Sequence, residues 1–285
     1  MRLAEIYARP KPVISFEVFP PKTDAGLAPF FAELEKLKSL RPALLSLTYG
    51  AGGTTQGRSL LLLEKIRREF GLELMTHLTC IGSSEKSLLA FLQKVSGWGI
   101  ENILALRGDT PKNNPDYQPE NGVFKHAAEL IRFVKENTAL SVAAAGFPEK
   151  HPEAENLQTD LRHLKEKTAA GAEIIFTQLF FDNQYYYDYV KLARARGINA
   201  PIVPGIWTIT NFKQVQRTAE LSQAKMPADL LKKLEAADEK GVREIGINYA
   251  AEQIRDLLAH GAPGAHLYTL NKAEAVAEVL KKVRL

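Results

Sequence analysis

Apolar residues along the chain fall into two alternating patterns. Short β-rich runs occupy residues 13–19, 43–49, 72–80, 102–108, 141–147, 173–181, 202–207 and 265–270. Between them lie longer stretches with helical spacing, such as Leu34, Leu37 and Leu40, or Leu88, Phe91, Leu92 and Val95. Most runs begin about 30 residues after the one before, the length of a strand, a helix and two short loops. Helix boundaries are marked as well. Ser83-Ser84 with Ser87, and Asp182-Asn183, offer oxygens for N-caps, and Gly71, Gly171 and Gly197 stand where helices should stop. Each parallel pairing needs a crossover, so strict alternation of strand and helix predicts a parallel sheet. Eight such units favour a closed (β/α)8 TIM barrel over a doubly wound sheet.

One interval breaks the rhythm. Residues 208–264 have room for two or three helices, with a start marked by Met226-Pro227 and an amphipathic run over 243–259. Extra helices before the eighth strand are predicted there, without a separate domain. The rival dinucleotide fold has little support. Gly50-Ala51-Gly52-Gly53-Thr54-Thr55 carries Thr55 at the third glycine position, and the next apolar run ends in Thr79-Cys80 rather than an acid.

Composition narrows the class further. With 45% hydrophobic and 25% charged residues over 285 positions, the chain is neither disordered nor of low complexity. Its net charge, 37 − 33 = +4, is too slight and dispersed for a nucleic-acid platform but suits an anionic small molecule. A single cysteine, Cys80, excludes a disulfide scaffold and fits a reducing cytoplasm. No apolar run approaches the roughly 20 residues of a membrane helix. A strand-like run from residue 13 leaves no room for a cleaved signal. The expectation is a soluble cytoplasmic protein with no membrane or nucleic-acid partner.

In such a barrel the C-terminal ends of the strands carry the chemistry. Polar residues gather there: Glu17, Thr48-Tyr49, His77 and Thr79, Arg107-Gly108-Asp109, His151, Gln178, and Tyr268 to Lys272. Alternation places Ser15, Glu17 and Phe19 on one strand face. A carboxylate held among Phe16, Phe19 and Pro20 should have its charged form disfavoured, raising its pKa toward general-acid use. The competing reading of Glu17 is a buried carboxylate paired with an interior Arg or Lys. Arg107-Gly108-Asp109 reads either as part of a site or as a surface turn with an exposed ion pair. Histidine and cysteine spacings show no metal pattern. Neither a Gly-x-Ser-x-Gly elbow nor a lysine inside the first seven strands is present, which argues against a serine nucleophile and a Schiff base. Cys80 and the tyrosines Tyr185, Tyr186, Tyr187 and Tyr189 read as packing residues. What remains is a barrel enzyme with a shielded carboxylate, a second acid, and the need for a cofactor in anything harder than proton transfer.

Taken together, these segments resemble methylenetetrahydrofolate reductase. The resemblance is carried by Ser15-Phe16-Glu17-Val18-Phe19-Pro20-Pro21-Lys22-Thr23, Ser46-Leu47-Thr48-Tyr49-Gly50-Ala51 and Thr76-His77-Leu78-Thr79-Cys80. It continues in Ala105-Leu106-Arg107-Gly108-Asp109, His151-Pro152-Glu153-Ala154, Thr177-Gln178-Leu179-Phe180-Phe181-Asp182, Pro204-Gly205-Ile206 and Tyr268-Thr269-Leu270-Asn271. The pieces lie in family order from near residue 13 to residue 272. The resemblance implies one FAD-binding catalytic barrel over 1–285, without the regulatory domain of longer members. It also implies ping-pong reduction of methylenetetrahydrofolate by NADH or NADPH, and a homo-oligomer. A barrel subunit taking electrons from a partner protein is the alternative.

Residue by residue, the resemblance makes Glu17 the general acid and Asp109 a charge near both flavin and pterin. It gives FAD contacts to Thr48, Tyr49, Ala51, His77, Arg107, Gly108, Asp109, Ala127, His151, Ala154, Asp160, His163 and Lys167. Within that set His151 and Lys167 suit the diphosphate, and Asp160 a ribose hydroxyl. Folate contacts fall on Glu17, Asp109, Gln178, Gln214 and Lys272. Three positions depart from the pattern: Phe147 where tyrosine is common, Lys272 where arginine is usual, and Thr218 where some bacterial members carry phenylalanine.

Overall fold

The computed structural model describes residues 1–48, 54–108 and 123–284, with residues 54–58 given by backbone alone. Eight parallel strands close a barrel in chain order: β1 (Val13–Val18), β2 (Leu44–Leu47), β3 (Leu74–Thr79), β4 (Asn102–Leu106), β5 (Ser141–Gly146), β6 (Ile174–Leu179), β7 (Ile202–Trp207) and β8 (Gly264–Tyr268). The ring closes between β1 and β8, with Val13 opposite Gly264 and Glu17 opposite Tyr268. A short helix, α1 (Leu3–Tyr7), precedes the barrel. Six helices follow the first six strands: α2 (Leu27–Ser39), α3 (Thr54–Phe70), α4 (Glu85–Gly97), α5 (Ala127–Asn137), α6 (Leu157–Ala169) and α7 (Asn183–Ala195). Three more, α8 (Phe212–Ser222), α9 (Ala228–Ala236) and α10 (Glu239–Ala259), separate β7 from β8, and α11 (Ala273–Val283) follows. The TIM barrel and its additional helices are therefore as the apolar pattern predicts. Among the described residues, no helix is long and apolar enough to cross a membrane.

Local signals operate where expected. Ser84 Oγ accepts from Ser87 N–H and Asp182 from Gln184 N–H, satisfying donors that a helix start leaves open. Gly71, Gly171 and Gly197 take positive φ just past helix ends. Seven of the eight strands are shorter than the apolar runs that foretold them, β7 alone matching its run. Their last residues leave the ladder and turn over the barrel mouth, where the polar groups sit.

Strand alternation divides the core. Outward residues such as Phe16, Val18, Leu45 and Leu47 pack beneath the helices. Inward residues Val13, Leu44, Met75, Leu104, Ala143, Ile174, Phe176 and Val203 form an inner cluster with Leu3, Ile6 and Tyr7 of α1. This five-residue helix escapes the sequence pattern because it is too short to show a period. Its fully buried Leu3 and Ile6 each contribute about 1.5–3 kcal/mol on burial. Higher in the barrel the inward positions include Ala145 and Gly205. A Cβ on Gly205 would collide with Thr177 O and the Tyr268 ring, so β6, β7 and β8 meet closely there.

Candidate functional site

A cavity of about 690 Å³ opens at the C-terminal ends of the strands, within the ~300–1,000 Å³ usual for small-molecule sites. On its floor lies Glu17, only 6% exposed. Its Oε2 is 3.3 Å from His77 Nε2 on β3 and 3.6 Å from His266 Nε2 on β8. Burial pulls the carboxyl's pKa upward, but the two imidazoles pull it down further and hold it at about 2, below the ordinary 4.5. This corrects the expectation of a raised pKa. Glu17's apolar sequence neighbours Phe16 and Val18 face the helices, whereas its neighbours in space are histidines brought by distant strands. Among the described residues, no Arg or Lys pairs with it.

Each histidine is itself held. Ser46 Oγ lies 2.9 Å from His77 Nε2, and Ser15 Oγ 2.8 Å from His266 Nδ1. Above them, the turn after β4 brings Arg107 and Gly108 to the wall. Arg107 Nη2 donates to Glu153 Oε1 at 2.6 Å, so this arginine both lines the cavity and makes an ion pair at its rim. Gly108 has φ +86°, and a Cβ there would lie 2.9 Å from Thr79 Cβ. Only glycine permits the β4 turn to pass so near β3.

The far lobe is charged. Lys167 on α6 donates to Ala145 O at 3.0 Å, and its ammonium lies 5.9 Å from the Phe147 ring centroid. Burial lowers the pKa of Lys167 and raises that of Asp160, whose Oδ2 accepts from His151 N–H. Burial likewise depresses the His151 pKa. The rings of His126 and His163 stack at 6.2 Å beside this lobe. Opposite, Gln178 turns its Oε1 back onto Leu179 N–H at 2.8 Å, where the pairing of β6 with β7 shifts register. Such irregularities re-aim side chains, and Gln178 lines the cavity here. Trp207, Tyr268 and the α8 residues Thr218, Leu221 and Ser222 complete the wall. Leu221 is 69% exposed, an apolar side chain at the rim of a polar mouth.

The match of the whole chain settles the relationship. The methylenetetrahydrofolate reductase family model matches residues 2–284. The chain belongs to the methylenetetrahydrofolate reductase family. It is 36% identical to 5,10-methylenetetrahydrofolate reductase of Pectobacterium carotovorum over 95% of this chain and 89% of that protein. Against methylenetetrahydrofolate reductase (NADH) 1 of Arabidopsis thaliana it is 36% identical over 95% of this chain and 48% of the plant protein. It thus spans about half the length of the plant and yeast relatives it matches. A solved structure shares the fold at TM-score 0.67 and 15% identity, over 98% of this chain and 96% of that one. That protein is an uncharacterized Clostridium thermocellum protein that binds two copies of 5-methyl-5,6,7,8-tetrahydrofolic acid.

Against the reductase-family pattern, the cavity gathers Glu17, His77, Arg107, Gly108, Ala127, His151, Ala154, Asp160, His163, Lys167 and Gln178 on one wall system. Tyr49, Ala51 and Asp109 lie outside the described residues. Thr48 is half-buried at the end of β2, with its N–H on Val18 O, and does not line the cavity. Gln214, one turn before Thr218 on α8, and Lys272, at the start of α11, are exposed and also outside the lining. The departures Phe147 and Thr218 do line it, Phe147 meeting His151 edge-on at 4.6 Å between ring centroids. Cys80 is a buried packing residue, its thiol pushed up to about 11 by burial. Sequence reasoning passed over His266 and Trp207 as site residues. Period-two alternation held the signal, since 266 shares a strand face with Tyr268 and 207 ends its own strand.

Proposed function

We propose that this chain is the catalytic barrel that reduces 5,10-methylenetetrahydrofolate to 5-methyltetrahydrofolate in the cytoplasm, with NADH or NADPH as donor and FAD as carrier. The observation that carries this reading is the buried Glu17 carboxyl on the cavity floor, flanked by His77 and His266, in a chain matched to the family over residues 2–284.

The residues present suit FAD. A close-approach turn at Gly108, a cation at Lys167 and a buried carboxyl at Asp160 form the donor set that a dinucleotide's diphosphate and ribose hydroxyls require. His151 would join Lys167 on the diphosphate, Asp160 would take a ribose hydroxyl, and Arg107, Ala127, Ala154 and His163 would complete the contacts, with Thr48, Tyr49 and Ala51 assigned by resemblance. Bound FAD would supply two-electron hydride transfer between the nicotinamide and the folate.

The chain's own task is proton delivery. Opening the five-membered ring of the folate moves a proton from the Glu17 carboxyl to the ring nitrogen, breaks that nitrogen's bond to the bridging carbon, and leaves a cationic iminium to accept hydride. With a pKa of about 2 the carboxyl is ionised near neutral pH, so proton delivery needs that pKa raised toward the working pH, as further desolvation by bound folate and flavin would do. Gln178 offers its Nε2 donor to the pterin, and the Asp109 charge would favour the iminium.

The test is direct. Purified protein should bind FAD and turn yellow, bleach anaerobically with NADH or NADPH, and recolour when methylenetetrahydrofolate is added. Failure to bind added FAD would sink the reading. Recolouring after chemical reduction, with no bleaching by either nicotinamide, would replace the donor with a partner protein.

A further inference from the structure

Beneath Glu17 a hydrogen-bonded chain runs down the barrel interior to the helix that plugs its base. Tyr7 OH on α1 lies 3.1 Å from Ser15 Oγ, and Ser15 Oγ lies 2.8 Å from His266 Nδ1. All three residues are buried, Ser15 and His266 almost completely. The Phe176 ring packs against both Tyr7 and His266, at centroid distances of 5.9 and 4.8 Å, and keeps the two rings in place. At the upper end of the chain, His266 Nε2 is buried and has no hydrogen-bond partner among the described residues. The atom it faces is Glu17 Oε2, at 3.6 Å, just beyond hydrogen-bond length.

The order of protons along the chain sets the tautomer of His266. Either hydroxyl can donate in the Tyr7–Ser15 pair, and one consistent order has the phenol, kept protonated by burial, donating to Ser15. Ser15 has one hydroxyl proton, and having accepted from Tyr7 it gives its own to His266 Nδ1. A ring nitrogen that accepts carries no hydrogen, so the neutral imidazole bears its hydrogen on Nε2, aimed at Glu17. His77 Nε2 addresses the same carboxylate oxygen from β3, at 3.3 Å.

We propose that Tyr7, Ser15 and His266 form a positioning chain for Glu17: it locks His266 as the neutral Nε2–H tautomer, commits Oε2 to the two histidines, and leaves Oε1 as the oxygen that hands over the proton. The proposal rests on Glu17 being the acid of the reaction described above. His266 then acts through Glu17 and needs no contact with folate or flavin. The titratable groups facing Glu17 among the described residues are His77 from β3 and His266 and Tyr268 from β8. Of these, His266 alone has its tautomer dictated from below.

Selective ¹⁵N-histidine NMR of the FAD-loaded protein reads the tautomer without any turnover. His266, assigned by the loss of its signals in His266→Gln, should show the neutral Nε2–H pattern from pH 6 to 8. Tyr7→Phe removes a donor remote from the cavity at almost no change in shape. Ser15 can then accept from Nδ1–H, so a second tautomer or a titrating imidazolium should appear. In stopped-flow, that variant should shift the pH profile of flavin reoxidation by methylenetetrahydrofolate, while flavin reduction by the nicotinamide stays unchanged. His266→Leu should slow reoxidation about tenfold, as expected on losing the polar group that faces the buried carboxylate at 3.6 Å, and His266→Gln, with an amide donor at similar reach, should restore most of it.

A wild-type His266 that titrates, or that carries its hydrogen on Nδ1, overturns the proposal. So does a Tyr7→Phe protein with wild-type spectra and pH profile. Glu17→Gln, measured alongside, separates the two claims. If it abolishes reoxidation while the chain variants change nothing, the positioning chain fails and the acid stands; if it leaves reoxidation intact, the acid role itself fails.

Discussion

The two ends of the barrel are made by the same eight strands, yet they are finished in opposite ways. At the base, Leu3, Ile6 and Tyr7 of α1 drop into an inner layer of Val13, Leu44, Met75 and Ile174 and seal it. Polar groups there meet partners across the base: Leu3 N–H donates to Ser141 Oγ, and the Met1 ammonium meets Glu73 and Glu101. At the mouth, the inward positions hold Glu17, His77, Gln178 and His266, and small residues such as Ala145 leave space above them. Burying polar side chains is costly, and at the mouth Glu17, His77 and His266 are buried together around one cavity. The base is built for stability and the mouth for chemistry.

Substitutions at the two ends should therefore separate stability from activity. The largest effect is expected at the mouth. Glu17→Gln should slow folate-dependent flavin reoxidation by about 10²–10⁴-fold, the usual contribution of a general acid, with flavin reduction nearly intact; equal loss of both half-reactions in stopped-flow would remove the acid role. The same variant has a stability signature. Because the Glu17 pKa of about 2 lies below its ordinary 4.5, the unfolded chain takes up the proton first. Its stabilisation is present above about pH 4.5 and drains away as pH falls toward 2. Urea melts over that window should be flatter for Glu17→Gln than for wild type.

At the base, Leu3→Ala should cost about 2–5 kcal/mol of stability, the range for emptying a fully buried leucine site, and leave flavin reduction unchanged. A kinetic defect without a shift in the urea midpoint would break the division between the ends. Gly108→Ala tests the mouth's backbone. The left-handed turn and the Thr79 contact should cost about 1–2 kcal/mol, seen as weaker FAD binding by titration. The smallest effect belongs to the exposed clamp at the base, where Glu101→Gln should change the urea midpoint by under about 1 kcal/mol in stability.

The same contrast explains which features were legible in the chain. Period-two runs, helical spacing and caps at Ser84 and Asp182 are local, and they foretold the strands, the crossovers and the extra helices between β7 and β8. Family-patterned residues such as Arg107, His151, Lys167 and Gln178 do line one cavity. Two readings depended on contacts that no local window contains. The short plug α1 has no period to detect. Glu17 looked apolar-shielded because Phe16, Phe19 and Pro20 lie beside it in sequence, although the groups that set its pKa are His77 and His266 from distant strands.

The sequence by itself determined the periodicities, and through them the barrel, the strand faces and the residues that meet at its mouth. Only the tertiary structure decided Glu17's environment, since closing the ring carries His77 from β3 and His266 from β8 to one carboxylate oxygen. Periodicity is a property of neighbours along the chain, whereas a pKa is set by neighbours in space. The first can be read residue by residue; the second exists only after β1 and β8, some 250 residues apart (Ser15 opposite His266), have paired.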